Sequence, residues 1–122
     1  MREIARVLKP GGLGLVTAAP LFNLNGYFLV NRLAAALPVP GLTRLKQYFV
    51  TPRGLARRLA EAGFVRVEVH GVYLGPINWI ERLLPWALPR SLRGWEPIDA
   101  RLADRPLLRG LSNMLLAVGR RA

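Results

Sequence analysis

The sequence predicts an α/β fold, a three-stranded sheet with flanking helices formed by residues 1–122 as a single unit. Three observations carry that prediction. A charged start with helical spacing halts at Lys9-Pro10-Gly11-Gly12 and gives way to an apolar run, Leu13 to Ala19. An amphipathic segment from Thr51 leads across Gly63 into Val65, Val67 and Val69, which alternate with polar residues. A last apolar run, Met114 to Val118, lies near the C-terminus.

Each element follows from local chemistry. Ile4, Val7 and Leu8 share one face of a first helix, with Arg2, Glu3 and Arg6 between them. Pro10 has no N–H and biases Lys9 away from helical angles, while Gly11 and Gly12 supply the reversal. Leu13 to Ala19 does not alternate, which suits a strand covered on both faces. Residues 21–50 form an insertion in which Leu24, Tyr27, Phe28, Leu33, Ala34 and Leu37 line one side of a helix ended by Pro38 and Pro40.

Thr51 is a natural N-cap with Pro52 at the first helical position. Leu55, Ala56, Leu59 and Ala60 form the inner stripe, and Gly63 provides the left-handed stop. The strand that follows extends towards Tyr73 and sets His70 with Arg66 and Glu68 on its polar side. Residues 76–112 read as a helical insertion before the last strand. Trp79, Ile80, Leu83 and Leu84 form one apolar group there. A separate helix is expected from Pro97 to Asp104, with Ile98 and Leu102 facing inward.

Composition narrows the possible functions. Hydrophobic residues make up 52% of the 122, enough for one domain with a core. The chain carries 18 basic and 7 acidic residues, a net +11 that favours anionic partners. All the bases except Lys9 and Lys46 are arginine, and they are scattered rather than blocked, as solvated faces also require. The absence of cysteine excludes disulfides, thiolate metal sites and cysteine nucleophiles. Pro20, Asn23, Asn25, Gly26, Asn31, Pro38 and Pro40 interrupt the apolar stretch after Leu13, so no spanning helix is expected. Met1 to Leu8 reads as a helix and not as a targeting signal, which predicts a cytoplasmic protein with peripheral membrane contact left open.

"REIARVLKPGGLGLVTAAP" resembles the class I S-adenosylmethionine-dependent methyltransferases of the type 11 kind, where a helix ends at LKPGG and the fifth strand begins. "YFVTPRGLARRLAEAGFVRVEV" is similar to the next helix and the sixth strand, and "NMLLAVGRRA" to the antiparallel seventh. The resemblance implies a partial Rossmann-like fold, the C-terminal half only. Its sheet is mixed, with the last strand in the middle and antiparallel to two mutually parallel neighbours. It also implies S-adenosylmethionine as the cofactor of the intact family.

No strand, glycine loop and helix with a following acid occurs in this sequence, so no cofactor-binding residue is expected and the chain alone is expected to be inactive. The glycines of "GGLG" follow a helix and precede a strand, the reverse of a ligand cradle. The resemblance further implies that about four preceding strands lie outside this polypeptide. That would leave the Leu13–Ala19 strand with a raw edge, open to self-association or to an N-terminal partner chain.

Side-chain signals are sparse. His70 is the sole histidine and has no second residue at a motif spacing, so it reads as structural or surface-exposed rather than as a base. No metal site and no catalytic residue can be assigned. The resemblance makes 21–50 a lid or acceptor-binding insertion, whose polar-tipped candidates are Asn23, Asn25, Tyr27 and Tyr48. Trp79, Trp86 and Trp95, with Phe28 and Leu24, suggest a lipophilic acceptor, a membrane surface or an ordinary hydrophobic cap. The alternative to an enzyme fragment is a non-catalytic basic module binding anionic membrane or a partner protein. Specific nucleic-acid binding is not expected, since Arg53, Arg57 and Arg58 make a patch but no motif.

Overall fold

Pro10 and the glycines after it set the first corner of the molecule, as the computed structural model shows; it describes residues 1–37 and 48–122. Helix α1 (Arg2–Val7) stops there, and Gly11 takes a φ of 77° that only glycine adopts without strain. Strand β1 (Leu13–Pro20) leads away from this turn. Helix α2 (Tyr27–Ala36) follows, and the proline stop assigned to Pro38 and Pro40 lies outside the described residues. Leu24 precedes α2 instead of lying on it, and Leu33 and Leu37 face outward, 55% and 54% exposed, rather than lining an inner side.

Strand β2 (Phe49–Val50) leads into helix α3 (Pro52–Glu61). The Thr51 hydroxyl caps α3 by accepting from the Gly54 N–H at 3.1 Å. Leu55 and Leu59 turn inward and are fully buried, while Ala60 faces solvent. Gly63, at φ 93°, closes the helix and admits strand β3 (Phe64–Val72). Helix α4 (Ile77–Leu83), a 3-10 turn at Pro85–Ala87 and helix α5 (Leu88–Leu102) come next. A second 3-10 turn, Arg109–Leu111, precedes strand β4 (Met114–Arg121).

The fold is α/β with a mixed four-stranded sheet in the order β2-β1-β4-β3. β4 runs antiparallel to both β1 and β3, which are therefore parallel to each other. The expected count of three strands is corrected by β2, which pairs parallel with Ala19 and Pro20. Its two residues adopt strand geometry because the chain, returning from the insertion, passes the end of β1 just before the Thr51 cap. A run that short has no periodicity to read.

β3 corrects a second expectation. Arg66 adopts φ 51° and interrupts the ladder between Val65 and Glu68, a bulge that shifts the phase of the strand. Val65 is consequently 46% exposed, while Phe64 and Val67 both lie over Gly119 of β4. A third correction concerns α5, which passes through Pro97 instead of starting there, leaving Ile98 41% exposed.

The core is one-sided. Ala5, Val50, Leu55, Leu59, Phe64, Val69, Leu115 and Ala117 pack between the sheet and helices α1 and α3. On the opposite face, register groups Leu13, Leu15 and Thr17 with Arg120, Val118 and Leu116, and the last two with Glu68 and His70. Leu13 and Leu15 remain 51% and 61% exposed there. Among the described residues, no helix is long and apolar enough to cross a membrane.

Candidate functional site

Parallel strands of an α/β sheet present their carboxyl ends as the place where loops can build a ligand site. Here a cleft of 540 Å³ opens at that end of β1. Thr17, Ala18 and Ala19 form one wall, Leu55 and Arg58 of α3 another, and Asn113 and Met114 the third. Tyr48 stands at the rim, 86% exposed. The cleft lies beside the outer edge of β1, whose Leu13–Ala18 stretch has no strand partner among the described residues.

The four predicted acceptor residues take different positions. Asn23 and Asn25 are buried, at 7% and 3% exposure. Asn25 Nδ2 donates to Asn113 Oδ1, and its carbonyl accepts from Trp79 Nε1 at 3.2 Å. Asn113 in turn donates from Nδ2 to the Gly75 carbonyl at 2.8 Å. Asn25 thus reaches the cleft only through Asn113, and it ties the insertion to the loops around β3 and β4. Tyr27 is the first residue of α2, and its side chain lies outside the described structure. Of the three whose side chains are described, Tyr48 is the one that lines the cleft.

The glycines of "GGLG" do not fit a cofactor cradle. Gly11 N–H donates to the Arg121 carbonyl and Gly12 N–H to the Lys9 carbonyl, each at 2.9 Å. A Cβ on Gly14 would meet the Phe64 ring at 2.5 Å, so its bareness serves the packing of β1 on the core. A Cβ on Gly12 would likewise meet the Lys9 carbonyl at 2.8 Å, so Gly12 and Gly14 both lie against protein atoms.

A second cleft, of 530 Å³, runs between the start of α3 and β3 and has His70 and Arg109 at its margin. His70 Nδ1 lies 2.9 Å from Asp104 Oδ2, and Nε2 lies 3.6 Å from the Glu68 carboxylate. Asp104 also accepts from the Gly71 N–H at 3.3 Å and faces Arg109 at 3.6 Å. Burial pushes the Asp104 carboxyl up, but the hydrogen bonds from His70 and Gly71 and the charges of His70 and Arg109 outweigh it. The net pKa therefore falls below the ordinary aspartate value.

Arg109 completes this cluster by donating to the Val69 carbonyl at 2.7 Å. Together Arg109 and Asp104 occupy backbone groups along the outer edge of β3. The carboxylate orients the imidazole, but its other contacts go to the Gly71 N–H and to Arg109, which itself donates to the Val69 carbonyl, so the arrangement holds the 104–109 loop on the sheet. Among the described residues no group of acids and histidine could hold a metal ion.

No family model matches the chain, and no curated protein matches it. The site must therefore be read from its own geometry. Sequence reasoning overlooked Asn113, Thr17 and Arg58 in the cleft wall and Asp104 beside His70. A lone Asn before a strand carries no signal, and Asp104 is separated from His70 by 34 residues of chain.

Proposed function

We propose that these residues form the C-terminal, acceptor-side part of a Rossmann-like class I S-adenosylmethionine-dependent methyltransferase fold, and that they do not hold the methyl donor by themselves. The observation that carries this reading is the strand order. A final antiparallel strand inserted between two parallel ones is the arrangement that the LKPGG and AGF resemblance implies. It is unusual for a chain to return to the middle of its own sheet, since sequential elements more often lie side by side.

The Leu13–Ala18 edge, without an outer strand partner among the described residues, supports the same reading, because it is the place where a neighbouring strand of the larger sheet would pair. In this proposal the 540 Å³ cleft is the acceptor side, with Tyr48 at its mouth and Asn113, braced by Asn25, in its wall. Methyl transfer asks the protein chiefly to align the acceptor with an activated methyl group, so few charged side chains are required.

The test is calorimetric titration with S-adenosylmethionine of this chain, alone and after co-expression with the N-terminal, donor-binding half of such a fold. The expected result is a stable complex that binds the donor, while this chain alone gives no saturable heat. Stoichiometric binding by this chain alone overturns the proposal, as does a complex that binds no donor.

A further inference from the structure

Helices α2 and α4 both contribute to a cavity of 50 Å³ lined by Asn25, Val30, Asn78, Trp79 and Arg82. Val30 contributes the inner side of α2. Leu29 and Leu33, one turn apart, face outward, 64% and 55% exposed. On α4, Trp79 and Leu83 repeat the same one-turn spacing at 43% and 71% exposure. Leu84, just before the following 3-10 turn, adds an apolar side chain at 47% exposure, and Trp86 within the turn another at 73%. Large apolar side chains this exposed, on two helices that line one cavity, mark a surface that meets something other than water.

Charge identifies what that is. Arg32 lies on α2, Arg82 of α4 lines the same cavity as Trp79, and Arg90 and Arg93 belong to the first half of α5, which packs against α4 and the 3-10 turn. Glu81 lies two positions from both Trp79 and Leu83, on the other side of the helix. The whole chain carries +11, so a second copy would be repelled, and an anionic surface would be drawn. Tryptophan and leucine inserted at headgroup depth, with arginine heads reaching phosphates above them, is the chemistry of a helix resting in a bilayer interface.

We infer that the face formed by α2, α4 and the Pro85–Ala87 turn docks the protein on an anionic phospholipid surface, without spanning it. This face shares no residue with the 540 Å³ cleft and would hold whether or not the methyltransferase reading does.

Co-sedimentation of the full chain with phosphatidylcholine vesicles, with and without phosphatidylglycerol, tests the inference. Binding to the phosphatidylglycerol vesicles alone, with a blue shift of tryptophan emission, is the expected result. The double variant Leu83→Ser with Trp86→Ser removes two exposed anchors and should bind roughly tenfold more weakly or worse. Arg82→Gln with Arg90→Gln keeps the apolar surface and should also weaken binding, while Leu107→Ser, at a 92% exposed position that belongs to neither α2, α4 nor the turn, should bind as the parent. Circular dichroism matching the parent confirms that each variant is folded. Undiminished binding by either double variant overturns the inference, as do equal binding to neutral vesicles and no binding at all. A dimer in light scattering that the Leu83/Trp86 variant dissolves would assign the face to a second copy instead.

Discussion

Asp104 shows how one side chain can serve several structural ends. It takes the His70 ring, the Gly71 N–H and the Arg109 charge, and the sum lowers its pKa in the folded protein. A carboxyl depressed by folding stabilises the native state above its unfolded pKa, near 3.8, and that stabilisation disappears as pH falls through the lower native value. Urea midpoints measured from neutral pH downward should therefore drop more steeply below about pH 4 in the parent than in Asp104→Asn, which lacks the titrating group. Parallel curves for the two proteins would refute the role. At this scale the sequence was least informative. His70 was legible as a residue on the more polar side of its strand, yet nothing in the spacing pointed to Asp104. Asn25 was visible as a polar residue in an insertion, but its burial against Asn113 depends on loops that only the folded chain brings together.

Among the elements, α3 was the most readable. Thr51, Pro52, the Leu55–Leu59 stripe and Gly63 each specify the same helix by independent local rules, and the structure uses all of them. Replacing Thr51 by Ala should cost about 0.5–2 kcal/mol, and Thr51→Ser should keep most of that, since a hydroxyl still reaches the Gly54 N–H. Chemical denaturation of both variants checks the pair, and equal losses would place the effect in the methyl group. α5 was misread for the opposite reason. Pro97 looks like a helix start, and only the length of the helix around it shows that a missing donor is tolerated on an exposed element. β3 was misphased because Arg66 in a left-handed conformation leaves no mark in an alternating pattern.

For the whole molecule, the decisive feature is the contrast between its two sheet edges. The outer edge of β3 is closed by side chains, with Arg109 on the Val69 carbonyl and Asp104 on the Gly71 N–H. Among the described residues the outer edge of β1 is paired only at Ala19 and Pro20, by β2, and the stretch before it bears Leu13 and Leu15, both more than half exposed. An edge that is apolar and carries no charge of its own is a template for another strand. Opposing this, every copy carries +11, and mutual repulsion keeps copies apart at low salt. At about 1 M salt the screening length shrinks to roughly 3 Å, so repulsion between chains vanishes while the apolar edge remains. Light scattering should then show association that rises with salt. Leu15→Lys puts a charge on the edge strand at a position already 61% exposed, so it should suppress that association with little loss of stability. Association that falls with salt, or that Leu15→Lys leaves intact, would mean that contacts elsewhere hold the copies together and that the β1 edge is not the reactive border of this fold.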